Sequence, residues 1–194
     1  AKLVEVGATN RTHLADYEQA ITPDTAMILK VHPSNYRIEG FHEEVGSREL
    51  AALAHKHGLL FYEDQGSGAL LPDDILVCGG EETTPASVSA GLDIVSCSGD
   101  KLLGAAQAGI IMGRRDLVQA CGSHPLMRAL RPGKLALAAL EATLRIYMDG
   151  ADVAHREVPV LSMLTLPQAH LERRARKLRE LMVAGLDKAG CPCA

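Results

Sequence analysis

Val95-Ser96-Cys97-Ser98-Gly99-Asp100-Lys101-Leu102-Leu103-Gly104 is the stretch from which the fold is read. The apolar run over 92–97 predicts a short buried strand. It ends in a small polar turn that presents one lysine, and a second apolar strand is expected over 110–112. Backbone on both sides holds such a lysine where a ligand can reach it, and partial desolvation there favours a nucleophilic amine suited to Schiff-base chemistry. At this point a solvated lysine on a surface turn remains the alternative.

Upstream, Thr25-Ala26-Met27-Ile28-Leu29-Lys30-Val31 reads as a strand buried on both faces. The polar loop over 32–41 follows the carboxyl end of that strand, where open α/β sheets bind ligands. Asn35 and His32 either meet a ligand there or make turn hydrogen bonds. Residues 47–58 form a punctuated helix. Ser47 is expected to cap it, Glu49 suits its positive end, His55, Lys56 and His57 suit its negative end, and Gly58 stops it. His55 and His57 are two apart and share no helix face, so no metal pair is read. Leu59-Leu60-Phe61-Tyr62 predicts the next strand, which delivers Glu63-Asp64-Gln65 into Gly66-Ser67-Gly68. A carboxylate at a strand end, followed by glycines that let backbone approach a ligand, fits a binding site. Asp64 as a plain turn residue is the alternative.

The remaining segments complete an alternating pattern. Residues 3–7 read as strand-like, and 13–21 as a helix capped by Thr12. An irregular polar excursion covers 73–84, and 85–91 is a short helix with proline in its first turn. A helix is expected over 114–121. In the following 124–132, Arg128 and Arg131 are three apart and share a face if helical. They either grip a phosphate or another oxyanion or form a solvated pair. Residues 134–148 predict a long amphipathic helix with Leu137, Leu140, Leu144 and Tyr147 on one side. Asp149-Gly150 breaks it, 158–164 reads as extended, and 166–186 as a charge-rich helix packed on one face. Strands alternating with helices argue an α/β protein with a largely parallel sheet.

The 194 residues suit one domain or part of a larger protein, and 47% hydrophobic content supports a sizeable core. A net charge of −4 with interspersed signs demands no nucleic acid, and 3% aromatic residues offer no base-stacking platform. No run is long enough for a membrane span, and no export signal opens the chain, so a cytoplasmic location is expected. The cysteines, Cys78, Cys97, Cys121, Cys191 and Cys193, are irregularly spaced, which fits a reducing compartment. Cys191-Pro192-Cys193 has no matching ligand cluster, so no metal is assigned. The chain opens on Ala1-Lys2 without an initiator methionine and stops abruptly at Ala194. It is expected to be an internal segment of a longer protein.

Asp64 and Lys101 both follow predicted buried strands and can face one cleft at one edge of the sheet. A carboxylate beside a reactive lysine is the pairing pyridoxal phosphate requires. The carboxylate keeps the pyridine nitrogen protonated and the lysine holds the aldehyde. Asn35 can reach the ring hydroxyl and Ser98 the phosphate. A dinucleotide site is disfavoured, because Gly66-Ser67-Gly68 lacks the rest of a Gly-x-Gly-x-x-Gly turn.

Five motifs then carry a family resemblance: Glu5-Val6-Gly7-Ala8-Thr9-Asn10-Arg11-Thr12, Lys30-Val31-His32-Pro33-Ser34-Asn35-Tyr36-Arg37-Ile38, Tyr62-Glu63-Asp64-Gln65-Gly66-Ser67-Gly68-Ala69-Leu70, Ser98-Gly99-Asp100-Lys101-Leu102-Leu103-Gly104 and Leu137-Ala138-Ala139-Leu140-Glu141-Ala142-Thr143-Leu144. In this order and spacing the chain resembles the bacterial L-seryl-tRNA(Sec) selenium transferases, fold-type I pyridoxal phosphate enzymes. The resemblance implies the large domain of that fold over 1–148, with its amino-terminal part missing. It implies a linker and the start of a carboxyl-terminal small domain over 149–194. It further implies Lys101 as the cofactor lysine, Asp64 as the pyridinium partner, and Arg128 and Arg131 at a selenophosphate or phosphate group. Asp100 is expected to assist an elimination. The implied reaction turns seryl-tRNA(Sec) into selenocysteinyl-tRNA(Sec) with selenophosphate, through an aminoacrylyl intermediate, in a homo-oligomer built as a ring of dimers.

Two departures stand out. Ala105-Ala106 stands where the family usually has Gly-Pro, so a looser turn after the lysine is expected, and the resemblance implies that the family's tRNA-binding part and upstream phosphate loop lie outside this chain. Two other readings stay open. One is a relative that eliminates water or ammonia from a small amino acid or amino sugar acid without tRNA. The other is a non-catalytic remnant that pairs with full-length subunits.

Overall fold

The computed structural model describes residues 2–7, 10–36, 38–71 and 83–191. Cys78, Cys193, Thr9, Arg37 and most of the expected excursion over 73–84 lie outside the described residues. Four strands, β1 (Met27–Val31), β2 (Leu60–Gly66), β3 (Ile94–Ser98) and β4 (Gly109–Gly113), form one sheet in the order β1-β2-β3-β4. The first three are parallel, and β4 returns antiparallel to β3. This is the α/β, mostly parallel sheet expected from the alternation of apolar runs and helices. The helices are α1 (Leu14–Ala20), α2 (Ser47–Lys56), α3 (Thr84–Ser89), α4 (Arg115–Ser123), α5 (Met127–Leu130), α6 (Lys134–Met148), α7 (Ala151–Glu157), α8 (Pro159–Leu164) and α9 (Gln168–Lys188).

Helix α2 turns Leu50, Ala51, Leu53 and Ala54, spaced for one helical face, onto the sheet. They pack with Ile28, Phe61, Leu92 and Val95 into the main core. Along β2 the side chains alternate, so Phe61, Glu63 and Gln65 are buried on the helix-covered face, and Tyr62 and Asp64 point to the other face half-buried. The covered face carries a polar layer. Ser47 Oγ donates to Glu63 Oε1 at 3.0 Å, Thr84 Oγ1 donates to Gln65 Oε1 at 2.7 Å, and Gln65 Nε2 donates to Ser87 Oγ at 2.6 Å. These bonds pin α2 and α3 to β2, because a buried polar group left unpaired is costly.

A second core joins Ala69 and Leu71, beyond β2, to Ala154, Val158 and Leu161, with Leu102, Ile146 and Tyr147 packed around it. It fastens α6, α7 and α8 onto the lysine turn.

The structure departs from the sequence reading at several points. Residues 3–7 form no strand: 3–6 are irregular and Gly7 lies in a bend with φ +76°. His13, not Thr12, caps α1, and the Asp16 carboxylate accepts from His13 N–H at 2.7 Å. Gly46 occupies the cap position of α2, because the Ser47 hydroxyl is spent on Glu63. Strand β2 continues past Tyr62 to Gly66, since Glu63 and Gln65 find partners inside the protein. The stretch over 159–164 is helical, and only Val158, the cap between α7 and α8, keeps extended backbone. Pro159 takes the first-turn position that suits its fixed φ, and Val158 and Leu161 are buried. Helix α9 buries no residue, so Leu171, Leu178, Leu181 and Met182 stay exposed on it rather than packing one face.

Candidate active site

Parallel pairing brings the carboxyl ends of β1, β2 and β3 to one edge of the sheet, where the ligand sites of open α/β sheets lie. The loop with Ser34 and Asn35 leaves β1 there, Gly66-Ser67 leaves β2, and Gly99-Asp100-Lys101 leaves β3. In register, Val31 pairs with Asp64, and Asp64 pairs with Ser96.

The lysine turn is closed by its own backbone and braced from outside. Gly99 N–H donates to the Ala108 carbonyl at 2.9 Å, Ala105 N–H to the Gly99 carbonyl at 2.7 Å, and Gly104 N–H to the Lys101 carbonyl at 3.0 Å. Leu102 N–H donates to the Ser67 carbonyl at 2.9 Å, which ties the turn to the end of β2. The Tyr147 hydroxyl of α6 donates to the Leu103 carbonyl at 3.0 Å and lies 3.4 Å from that of Leu102. Burial pushes the Tyr147 phenol up to about 12, so it remains a donor. Gly104 has φ +71°, and a Cβ there would stand 2.4 Å from Val158 Cγ1. Only glycine lets α7 and α8 close on the turn.

Lys101 is exposed, and its Nζ approaches Gly66, which has φ +68°. A Cβ on Gly66 would lie 2.9 Å from Ser34 Oγ and 3.6 Å from Lys101 Nζ. The glycine keeps open the space between the lysine amine and the β1 loop. Two residues earlier, Asp64 Oδ1 accepts from Ser96 Oγ at 2.7 Å, and Ser96 Oγ lies 2.8 Å from the Tyr62 hydroxyl. Asp64 has no second side-chain partner among the described residues. An amine, a half-satisfied carboxylate and a cradle kept clear by glycine therefore share one edge, a donor set that fits pyridoxal phosphate.

The other expected site residues are placed as follows. Asn35 is exposed on the turn after β1, Ser98 ends β3 opposite Gly109, and Asp100 is exposed beside Lys101. Arg128 lies on α5 and Arg131 caps its carboxyl end. Both line an open cleft of about 590 Å³ with Gly122 and Met127, and that cleft takes in neither Asp64 nor Lys101. A second cleft, of about 210 Å³, flanks β1 and is lined by Asn10, Lys30, Tyr36 and His42 among others. It also excludes Asp64 and Lys101. Ser34, Tyr62, Ser96 and Tyr147 were not singled out in the sequence as site residues. For Ser96 a signal was present: it is a polar residue on the face of β3 shared with Ile94 and Ser98, two strand repeats ahead of the lysine turn.

Comparison with known proteins adds the lineage. A profile of the family described as L-seryl-tRNA selenium transferase matches residues 1–190. The L-seryl-tRNA(Sec) selenium transferase of Moorella thermoacetica is 52% identical over 185 residues, 95% of this chain and 39% of the relative. That of Desulfomicrobium baculatum is 51% identical over 189 residues, 96% of this chain and 40% of the relative. That of Rhizobium meliloti is 49% identical over 197 residues, 99% of this chain and 42% of the relative. The chain thus spans about 40% of the length of the curated relatives it matches. Among solved structures, D-glucosaminate-6-phosphate ammonia-lyase superposes with a TM-score of 0.60 at 26% identity, over 77% of this chain and 37% of that one. A double mutant of Thermus thermophilus aspartate aminotransferase superposes with a TM-score of 0.53 at 20% identity, over 93% of this chain and 42% of that one. The fold is that of the fold-type I pyridoxal phosphate enzymes, as the sequence reading expected. With the profile and the relatives in agreement, the chain belongs to the L-seryl-tRNA selenium transferase family.

Proposed function

We propose that this chain is the cofactor-binding part of an enzyme that converts seryl-tRNA(Sec) into selenocysteinyl-tRNA(Sec) with selenophosphate as selenium donor. The observation that carries the reading is the approach of Lys101 Nζ to Gly66, at the same sheet edge as Asp64. Pyridoxal phosphate, when bound, supplies a ring that accepts electrons from the α-carbon of an amino acid. Lys101 Nζ would hold that cofactor and, when not so engaged, would be placed to take a proton from the α-carbon of the substrate. Asp64 anchors the ring nitrogen as an ionic hydrogen-bond partner. Asn35 orients the ring from the β1 loop, and Ser98 contributes to the phosphate end. Asp100, adjacent to the lysine, assists departure of the seryl hydroxyl. Arg128 and Arg131 offer two guanidinium forks for a phosphate-type oxyanion.

In the same proposal residues 1–148 belong to the large domain, and 149–194 form the linker and start of a small domain. Support for that boundary is the end of α6 at Met148 and the turn at Asp149-Gly150. A homo-oligomeric enzyme is part of the reading, since exposed leucines on α6 and α9, such as Leu135 and Leu178, suit burial against another subunit.

The test is an absorbance titration of the purified protein with pyridoxal phosphate, followed by borohydride and peptide mass analysis. A visible band that borohydride fixes onto Lys101, and that Lys101→Ala lacks, is the expected outcome. Loading at a different lysine would overturn the assignment. Turnover of a free amino acid without tRNA would redirect the substrate to a small-molecule lyase.

A further inference from the structure

Ser96 stands directly across the sheet from Asp64, and Tyr62 lies behind it on the same face. The directions of these two bonds follow from chemistry. An ionised carboxylate only accepts, so the single hydroxyl hydrogen of Ser96 goes to Asp64 Oδ1. Ser96 Oγ can then only accept along the 2.8 Å contact, and Tyr62 must donate to it. Two hydroxyls thus point the same way in a chain that ends on one carboxylate oxygen, and such chains reinforce one another. All three side chains are half-buried, which limits competition from water. The bond to Oδ1 sets the rotation of the carboxylate, and the other oxygen has no partner among the described residues.

Resting on the reading of Asp64 as the ring-nitrogen partner, we propose that Ser96, backed by Tyr62, is a positioning residue. It clamps Oδ1 so that Asp64 presents its other oxygen to the cofactor ring in one orientation. Neither hydroxyl touches the reacting atoms, and the effect passes through Asp64. Removing the clamp releases the carboxylate rather than removing it, so the ring nitrogen loses a fixed partner but keeps a mobile one.

The experiment compares Ser96→Ala, Ser96→Thr, Tyr62→Phe and Asp64→Asn with the unaltered protein loaded with pyridoxal phosphate. Three quantities are read: cofactor affinity, the pH midpoint of the visible band, and the melting temperature of the cofactor-free protein. Ser96→Ala is expected to weaken affinity about tenfold, the size of one charge-assisted hydrogen bond, and to move the pH midpoint. Ser96→Thr restores both, Tyr62→Phe moves both in the same direction by less, and any fall in melting temperature is small and does not track the change in affinity. Wild-type affinity and midpoint in Ser96→Ala, with Asp64→Asn impaired, would overturn the clamp and leave the cofactor site standing. A fall in melting temperature that tracks the affinity, with an unmoved midpoint, would likewise reduce Ser96 to a structural role. An unaltered protein that forms no band on Lys101, or an Asp64→Asn variant that behaves as wild type, would remove the cofactor-site reading and the clamp with it.

Discussion

Two aspartates, one at each end of the parallel strands, are satisfied to different extents. Asp93, just before β3, is buried and accepts from Phe61 N–H at 2.8 Å, from Arg114 Nη1 at 3.0 Å and from His55 Nε2 at 3.0 Å. It fastens the carboxyl end of α2, the start of β2 and the residue after β4 to one point. Asp64, near the opposite edge, is half-buried and accepts one side-chain bond, from Ser96. A carboxylate with its lone pairs filled by the fold is committed to structure. One with an oxygen to spare at a ligand-binding edge is available for chemistry. Residue type alone does not separate the two; the number of partners does.

Removing Asp93 breaks this contrast most severely. Asp93→Ala leaves the buried Phe61 N–H without its acceptor and removes the bonds from Arg114 and His55, and is expected to cost about 3 kcal/mol, read by urea unfolding. Burial alone would push the Asp93 carboxyl up. The bonds from Phe61, Arg114 and His55 outweigh it and hold the group below the usual carboxylate range. A depressed folded value means that this stabilisation is fully present above about pH 4 and fades as pH falls through the folded value. Asp93→Asn should therefore flatten the acid limb of the stability profile, measured by melting temperature against pH.

Asp64→Asn is the reciprocal experiment. It should weaken pyridoxal phosphate binding by about tenfold or more, the scale of one charged hydrogen bond, with little change in unfolding free energy. A protein destabilised as much by Asp64→Asn as by Asp93→Asn would erase the distinction. The smallest effect concerns the brace on the lysine turn. Tyr147→Phe loses the bond to the Leu103 carbonyl and is expected to cost about 1 kcal/mol, a shift of about 2–4 °C in melting temperature.

Much of the sheet was legible because its signals are local. The apolar runs of β1, β3 and β4 and the punctuation of α2 and α6 are read from neighbours in sequence. The antiparallel return of β4 accords with the short connection after the lysine turn. The expected looseness after Lys101 rested on Ala105-Ala106, yet Ala105 N–H closes the turn onto Gly99 at 2.7 Å, a contact made by backbone and blind to the side chain. Glu63 looked like the end of a strand because charge inside a sheet is unfavourable. Its partner Ser47 lies on α2, beyond the reach of any local pattern. The Val158-Pro159-Val160 stretch looked extended because β-branched residues favour strands. Its helix is held by burial of Val158 and Leu161 against Ala69 and Leu71, a packing partner far upstream.

By itself the sequence determined the α/β class, the lysine turn, the carboxylate that precedes it and the family, because short-range periodicity and ordered motifs carry that information. Only the tertiary structure decided which groups meet. Strand register sets Ser96 beside Asp64, β2 alternation sends Glu63 inward and Asp64 to the opposite face, and a glycine clears the space before Lys101. The physical reason is that hydrogen bonds and close contacts act over a few ångströms in space, whatever the distance along the chain.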